Sequence, residues 1–198
     1  MNPGELLERS LAYALGSVAE VPREGLGWPT PCAEWDLGEL LRHLDDSVDA
    51  LHEGVADGRV GLCPGPPAAD PVCAFRERAR ALLGAWAAVS AAAQRSPAVG
   101  NRSMDAGLLA AVGALEIAVH GWDVARACGR ARPIPSGLAV ELLPVARTVV
   151  VDADRGVRFA DPVGVPVPAR PGDVLLAFLG RRPGRDSFSA RARSVFRE

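Results

Sequence analysis

Glu116 and His120 are separated by three apolar residues, Ile117, Ala118 and Val119. On a helix, positions i and i+4 lie one turn apart on the same face. A carboxylate and an imidazole would then interrupt a stripe of Leu109, Val112, Glu116, Val119, His120, Asp123 and Ala127. An unpaired carboxylate in apolar surroundings costs roughly several kcal/mol, so Glu116 needs a partner. The spacing leaves two open. One is an ion pair with His120 along the helix. The other is a divalent metal that the carboxylate and imidazole share. A metal requires a further donor, and His43 supplies one. Two histidines and one carboxylate suit zinc or another divalent ion that keeps open coordination positions. Asp123 sits one turn beyond His120, as a further ligand or as an acceptor for an imidazole N–H. His52 lies nine residues from His43. That is about half a turn out of phase on one helix, so His52 is not expected to reach the same ion.

These residues need helices to hold them. Leu6, Leu7, Leu11, Leu15 and Val18 set a 3.6-residue period over residues 4–20. Asp36 and Glu39 have N-cap and N3 spacing and start a second helix with a Leu37, Leu41, Leu44, Val48, Leu51 seam; His43 flanks that seam and should face a neighbouring helix. A third helix is expected over 72–93, and a fourth over 105–128 with Gly129 as terminator. A fifth should cover 136–151, interrupted or kinked at Pro144. The Gly/Pro-rich stretch 54–71 and residues 96–103 read as loops. Val157–Phe159 and Val163–Pro168 are strand-like but broken by proline, which suits short edge strands or extended coil. A short helix over 173–179 ends at Gly180, and a polar tail follows from Gly184. The fold class is therefore mainly α: an antiparallel four-helix bundle over residues 1–152, with a small C-terminal α+β appendage over 153–198.

The bulk properties bound the function. With 22 basic residues, 24 acidic residues and a net charge of −2, the chain has no electrostatic footprint for nucleic acid. The basic runs Arg76–Arg80 and Arg181–Arg193 read as solvated faces, and Asp45 and Asp46 as facing solvent. The longest mostly apolar run, Leu82 to Ala93, is too short to span a bilayer. Cysteines 32, 63, 73 and 128 lack metal-motif spacing; free thiols in a reducing cytoplasm, each a small buried hydrophobe, are the expectation. A composition rich in Ala, Gly, Pro and Arg suits a GC-rich genome.

Two motifs carry a resemblance. Trp28-Pro-Thr-Pro-Cys-Ala-Glu-Trp-Asp36, followed by Leu40-Leu-Arg-His-Leu44, resembles the opening of the DinB-like superfamily. Glu116-xxx-His120-Gly-Trp-Asp123-Val-Ala-Arg-Ala127 and the ending Leu175-Leu-Ala-Phe-Leu-Gly-Arg-Arg-Pro183 are similar to its actinobacterial branch around mycothiol-dependent maleylpyruvate isomerase. The resemblance implies a His43, Glu116, His120 ligand set. Many other members of the superfamily use three histidines, so Glu116 places the chain with the isomerase-like group. It also implies zinc, with nickel or iron accepted by related bundles, and mycothiol as the thiol cofactor. The expected activity is a metal-dependent S-transferase or isomerase acting on a small electrophilic molecule. A metal-dependent hydrolase, a secondary-metabolism tailoring enzyme and a non-catalytic metal module stand as alternatives on the same scaffold. A fourth direct ligand, Asp123, would favour the last. Isomerase-like relatives also bring a C-terminal arginine toward the metal. Arg181 is the candidate here, to hold a substrate or cofactor carboxylate by its fork; a surface or capping role is the plainer reading.

Overall fold

The computed structural model describes residues 2–32, 35–61, 65–88, 97–99, 102–103 and 105–184. Helices dominate: α1 Pro3–Val18, α2 Leu37–Ala56, α3 Pro71–Ala88, α4 Ala106–Ala127, α5 Ser136–Val149 and α6 Pro171–Phe178. Local signals in the sequence set their ends. The Asn2 side chain caps α1, and Asp105 caps α4 through the Leu108 N–H. Asp36 and Glu39 form a reciprocal capping box, with Asp36 Oδ1 accepting from the Glu39 N–H at 2.8 Å and Glu39 Oε2 from the Asp36 N–H at 3.0 Å. Replacing Asp36 by Ala removes that cap. The expected cost is about 1 kcal/mol, read as a lower urea midpoint with an unchanged slope.

Apolar faces then assemble the helices. Leu6, Leu7 and Leu11 of α1, Leu40, Leu41 and Leu44 of α2, Phe75 and Leu82 of α3, and Ile117 of α4 are all sealed from solvent. Each such side chain contributes about 1.5–3 kcal/mol relative to exposure. The α4 helix is the centre of the molecule and is buried almost all round, by α1, α2 and α5. It is long and apolar enough to cross a membrane by composition, but most of it is buried inside the fold.

Contacts fix the helix directions. Pro3 lies against Gly107 and Ala14 against Gly121, so α1 and α4 run the same way. Leu51 meets Gly113 and Gly54 meets Leu109, so α2 runs opposite to α4. Trp86, near the end of α3, covers Gly4 at the start of α1, so α3 runs opposite to α1. The antiparallel pairs of the bundle are thus α2/α4 and α1/α3, while α2 and α3 share a direction. Pro66 and Pro67, ahead of α3, form a cleft with Asp36, Glu39 and Arg42.

Several details differ from the sequence expectations. The inter-helix loops carry three two-residue strands, β1 Arg59–Val60, β2 Ala98–Val99 and β3 Arg102–Ser103, with β1/β2 parallel and β2/β3 antiparallel. Pieces this short carry no periodicity to detect. Asp45 does not face solvent: it is buried against α3, where Arg78 Nε stands 2.9 Å from its Oδ1 and Arg78 also pairs with Asp49. Arg78 is therefore a bridge between α2 and α3, whereas Arg76 and Arg80 are exposed. In residues 153–184 the strand-like sequence yields one bridge, Arg155 with Phe159, beside the short α6. Pro162, Pro166 and Pro168 withhold the N–H groups a ladder needs. Pro144 sits inside an uninterrupted α5. The far end of the expected third helix and the tail after Gly184 fall outside the described residues.

Candidate metal centre

The segment before α2 folds back onto it, because the Leu37 and Gly38 N–H groups donate to the Trp28 and Leu26 carbonyls. The Thr30 hydroxyl lies within this turn, accepting from the Cys32 N–H at 3.1 Å and standing 2.8 Å from the Trp35 carbonyl oxygen. Cys32 and Trp35 are thereby held over the first turns of α2. The Trp35 ring lies 4.5 Å from the His43 ring, centroid to centroid, as one wall of the site.

Across from this wall, α4 presents Glu116 and His120 one turn apart. His43 Nε2 is 2.6 Å from Glu116 Oε1, and His120 Nε2 is 3.2 Å from the same oxygen. The three ligand atoms lie within 4.8 Å of one another. His120 is buried, but 33% of the His43 side chain and 37% of Glu116 remain accessible, so the group opens to the outside on one side. Glu116 is therefore not the fully buried carboxylate that its apolar stripe suggested. His52 belongs to none of the ligand groups among the described residues. His52→Ala should leave metal content unchanged and shift stability by less than about 0.5 kcal/mol; loss of metal would overturn this helix register.

Behind His120 lies a second polar layer. His120 Nδ1 is 3.0 Å from Asp123 Oδ2, and Asp123 is wholly buried. Arg181 Nη2 donates to the same oxygen at 3.0 Å and reaches Cys32 Sγ at 3.6 Å. The Cys32 thiol also donates to Asp123 Oδ2 at 3.4 Å. Asp123 is thus an acceptor on the far side of the imidazole and not a fourth donor beside Glu116. Cys32, His120 and Asp123 also have ligand spacing. That group already contains a cation, the Arg181 guanidinium, which disfavours a metal ion there.

The electrostatics follow from this arrangement. Burial alone would lower the His120 pKa, but Glu116, Asp123 and Cys32 outweigh it and raise it well above the ordinary value. Burial alone would raise Glu116, but His120 and His43 hold it well below the usual carboxylate range. Asp123 is likewise lowered despite burial, chiefly by Arg181. The field that favours a protonated imidazole also favours a divalent ion between the three donors. With Asp123 accepting the Nδ1 hydrogen, a neutral His120 would turn its Nε2 lone pair toward a metal. The residues present therefore fit a divalent cation.

The sequence reading placed His43, Glu116, His120, Asp123 and Arg181 near one centre, and the fold brings them together. It missed Cys32, taken as a small hydrophobe. The only signal was its place in the Trp28–Asp36 motif, since a single cysteine in a loop has no periodicity. Among the described cysteines, Cys32, Cys73 and Cys128 carry free thiols, and burial pushes Cys128 up to about 11. Cys63 lies outside the described residues.

The fold is mainly helical, and α2 and α4 bring two histidines and one carboxylate together. The chain belongs to the family described as the mycothiol maleylpyruvate isomerase N-terminal domain, which matches residues 7–125, more than half of its length. Two proteins of Mycobacterium tuberculosis are similar to it: MT0763 of strain CDC 1551 / Oshkosh and Rv0738 of strain ATCC 25618 / H37Rv. Both are described as uncharacterized, and each is 30% identical over 185 residues, 91% of this chain and 98% of the relative. No solved structure matches the chain significantly.

Proposed function

We propose that this protein is a divalent-metal enzyme that uses mycothiol as a nucleophile toward a small electrophilic substrate, as an S-transferase or isomerase. The observation that carries this reading is the convergence of His43 Nε2, Glu116 and His120 Nε2 on one accessible point, in a chain of the mycothiol isomerase family. His43, Glu116 and His120 would hold the ion, with zinc the first choice for two imidazoles and a carboxylate. When bound, such an ion supplies Lewis acidity that makes a coordinated thiol or water easier to deprotonate.

The chain's own groups prepare the site for that chemistry. Asp123 accepts from His120 Nδ1 and so holds Nε2 toward the ion. Arg181 balances the Asp123 charge inside the protein. Trp35 packs on His43 and limits its rotation. Glu116 adds a negative charge, which moderates the ion's acidity relative to a set of three neutral imidazoles. Asp123 stands on the opposite edge of the ring from Glu116, which supports an open site over a closed structural one.

The test is thiol dependence. Zinc-loaded protein with mycothiol and a conjugated keto acid such as maleylpyruvate should consume the acid, and omission of either thiol or metal should abolish consumption. Thiol-independent turnover of an ester or amide would replace this reading with a hydrolase. Stoichiometric zinc with no turnover across a panel of electrophiles would favour a binding module.

A further inference from the structure

We propose that Arg181 is a positioning residue for the metal ligand His120, so that the C-terminal appendage completes the centre from behind without touching the ion. This rests on the metal reading above. The local structure explains why the arginine arrives there. Gly180 ends α6 with φ +79°, its N–H donating to the Ala177 carbonyl at 3.0 Å and the Arg181 N–H to Leu176 at 2.9 Å. This is the paired bonding of a Schellman cap, and it favours glycine at the left-handed position. A Cβ on Gly180 would fall 2.6 Å from Ala160 Cβ, so glycine also answers a spatial need. The cap turns the next side chain back toward α4.

The Arg181 side chain is only 14% exposed, and both of its terminal nitrogens have partners. Nη2 serves Asp123 and Cys32, and Nη1 lies 3.3 Å from the Leu179 carbonyl oxygen. Asp123 Oδ2 thus receives the guanidinium on one side and His120 Nδ1 on the other, each at 3.0 Å. An ionised carboxylate with no exposed surface must be paired, and the cation in contact with it besides the imidazole is Arg181. Without the guanidinium, Asp123 can remain charged only by leaving its position or drawing more strongly on His120. The first change frees the imidazole to turn or exchange tautomers, and the second pulls the ring toward Asp123; each misdirects Nε2. A carboxylate clamp for substrate would require the fork to be free and on the Nε2 side of the ring. Arg181 meets neither condition, because it contacts Asp123 at the Nδ1 side.

The experiment measures metal affinity, with no need for turnover. Apo protein is titrated with zinc against a chromophoric chelator at fixed pH, and with cobalt to read its visible absorption bands. Asp123→Asn and Arg181→Met should each weaken zinc binding by about tenfold or more, the usual effect of losing a ligand's supporting partner. Both should shift the cobalt bands. The double variant should be little weaker than the worse single, since both act through one contact. Arg182→Met should bind as wild type. Circular dichroism checks folding. If Arg181→Met does not fold, Arg181→Lys keeps the charge but cannot serve Asp123, Cys32 and Leu179 together; it should still weaken zinc by about threefold or more. Wild-type affinity and cobalt bands in either folded variant would overturn the positioning role while leaving the metal centre intact. No zinc binding by wild type, or binding unchanged in His43→Ala, would overturn the metal reading and this inference with it.

Discussion

His120→Ala should empty the centre. Purified wild-type protein is expected to hold about one divalent ion per chain, and the variant a small fraction of that after dialysis, by elemental analysis. The effect should be large because His120 serves two functions. Its Nε2 is one of three donors grouped around Glu116, and its Nδ1 anchors the ring to Asp123. Alanine leaves a two-donor site on one accessible face, with Glu116 still exposed to water. It also removes a hydrogen-bond partner from buried Asp123, at a cost of about 1–3 kcal/mol, partly offset because Arg181 stays in place. Metal loss should therefore be accompanied by a moderate drop in stability and not by unfolding. His43→Ala should also lose metal with a smaller stability cost, because His43 is a third exposed and bonds only Glu116 in this cluster. Stoichiometric metal retained in the double variant His43→Ala/His120→Ala would remove this group from consideration.

Much of this was visible in the sequence because it is governed locally. The cap at Asp36 and the glycines after α4 and α6 announce helix ends within a few residues. The Glu116–His120 spacing announces a shared face, and a face with two such groups requires a partner. What stayed hidden depends on residues far apart in the chain. Cys32 and Asp123 meet across 91 positions, so neither neighbourhood reports the contact. Asp45 reads as a surface acid on α2 until α3 brings Arg78 against it. Arg181 looked like part of a solvated basic run, yet its direction is set by the cap at Gly180 and its partner lies on α4. Helix direction was hidden for the same reason. Nothing in α1 or α4 alone states that they run side by side in the same sense; only the meeting of Ala14 with Gly121 does.

That meeting yields the second large expected effect: Gly121→Leu should destabilise the fold by about 3 kcal/mol, the upper end of typical overpacking costs. Gly121 follows His120 on α4, where α1 crosses closely. A Cβ placed on it would stand 3.0 Å from Ala14 Cα, 3.1 Å from Ala14 Cβ and 3.4 Å from the Tyr13 ring. Two of those three contacts involve atoms that move only if α1 itself moves. Both Ala14 and Tyr13 are buried, so no surface route exists for a longer side chain. At Gly113 the corresponding obstacle is the end of the Leu51 side chain, which can change rotamer; Gly113→Ala should therefore be much milder. Gly121→Ala is an intermediate case, since about 1 kcal/mol of gained helix propensity opposes the squeeze. The leucine gains nearly as much propensity, but its longer side chain must also displace the buried Ala14 and Tyr13. It should lower the urea midpoint of apo protein and also weaken zinc binding, because a shift of α4 at residue 121 moves the adjacent ligand. Gly121→Leu with wild-type stability would mean that α1 and α4 are not in contact at this point, and the shared direction of the two helices would fall with it.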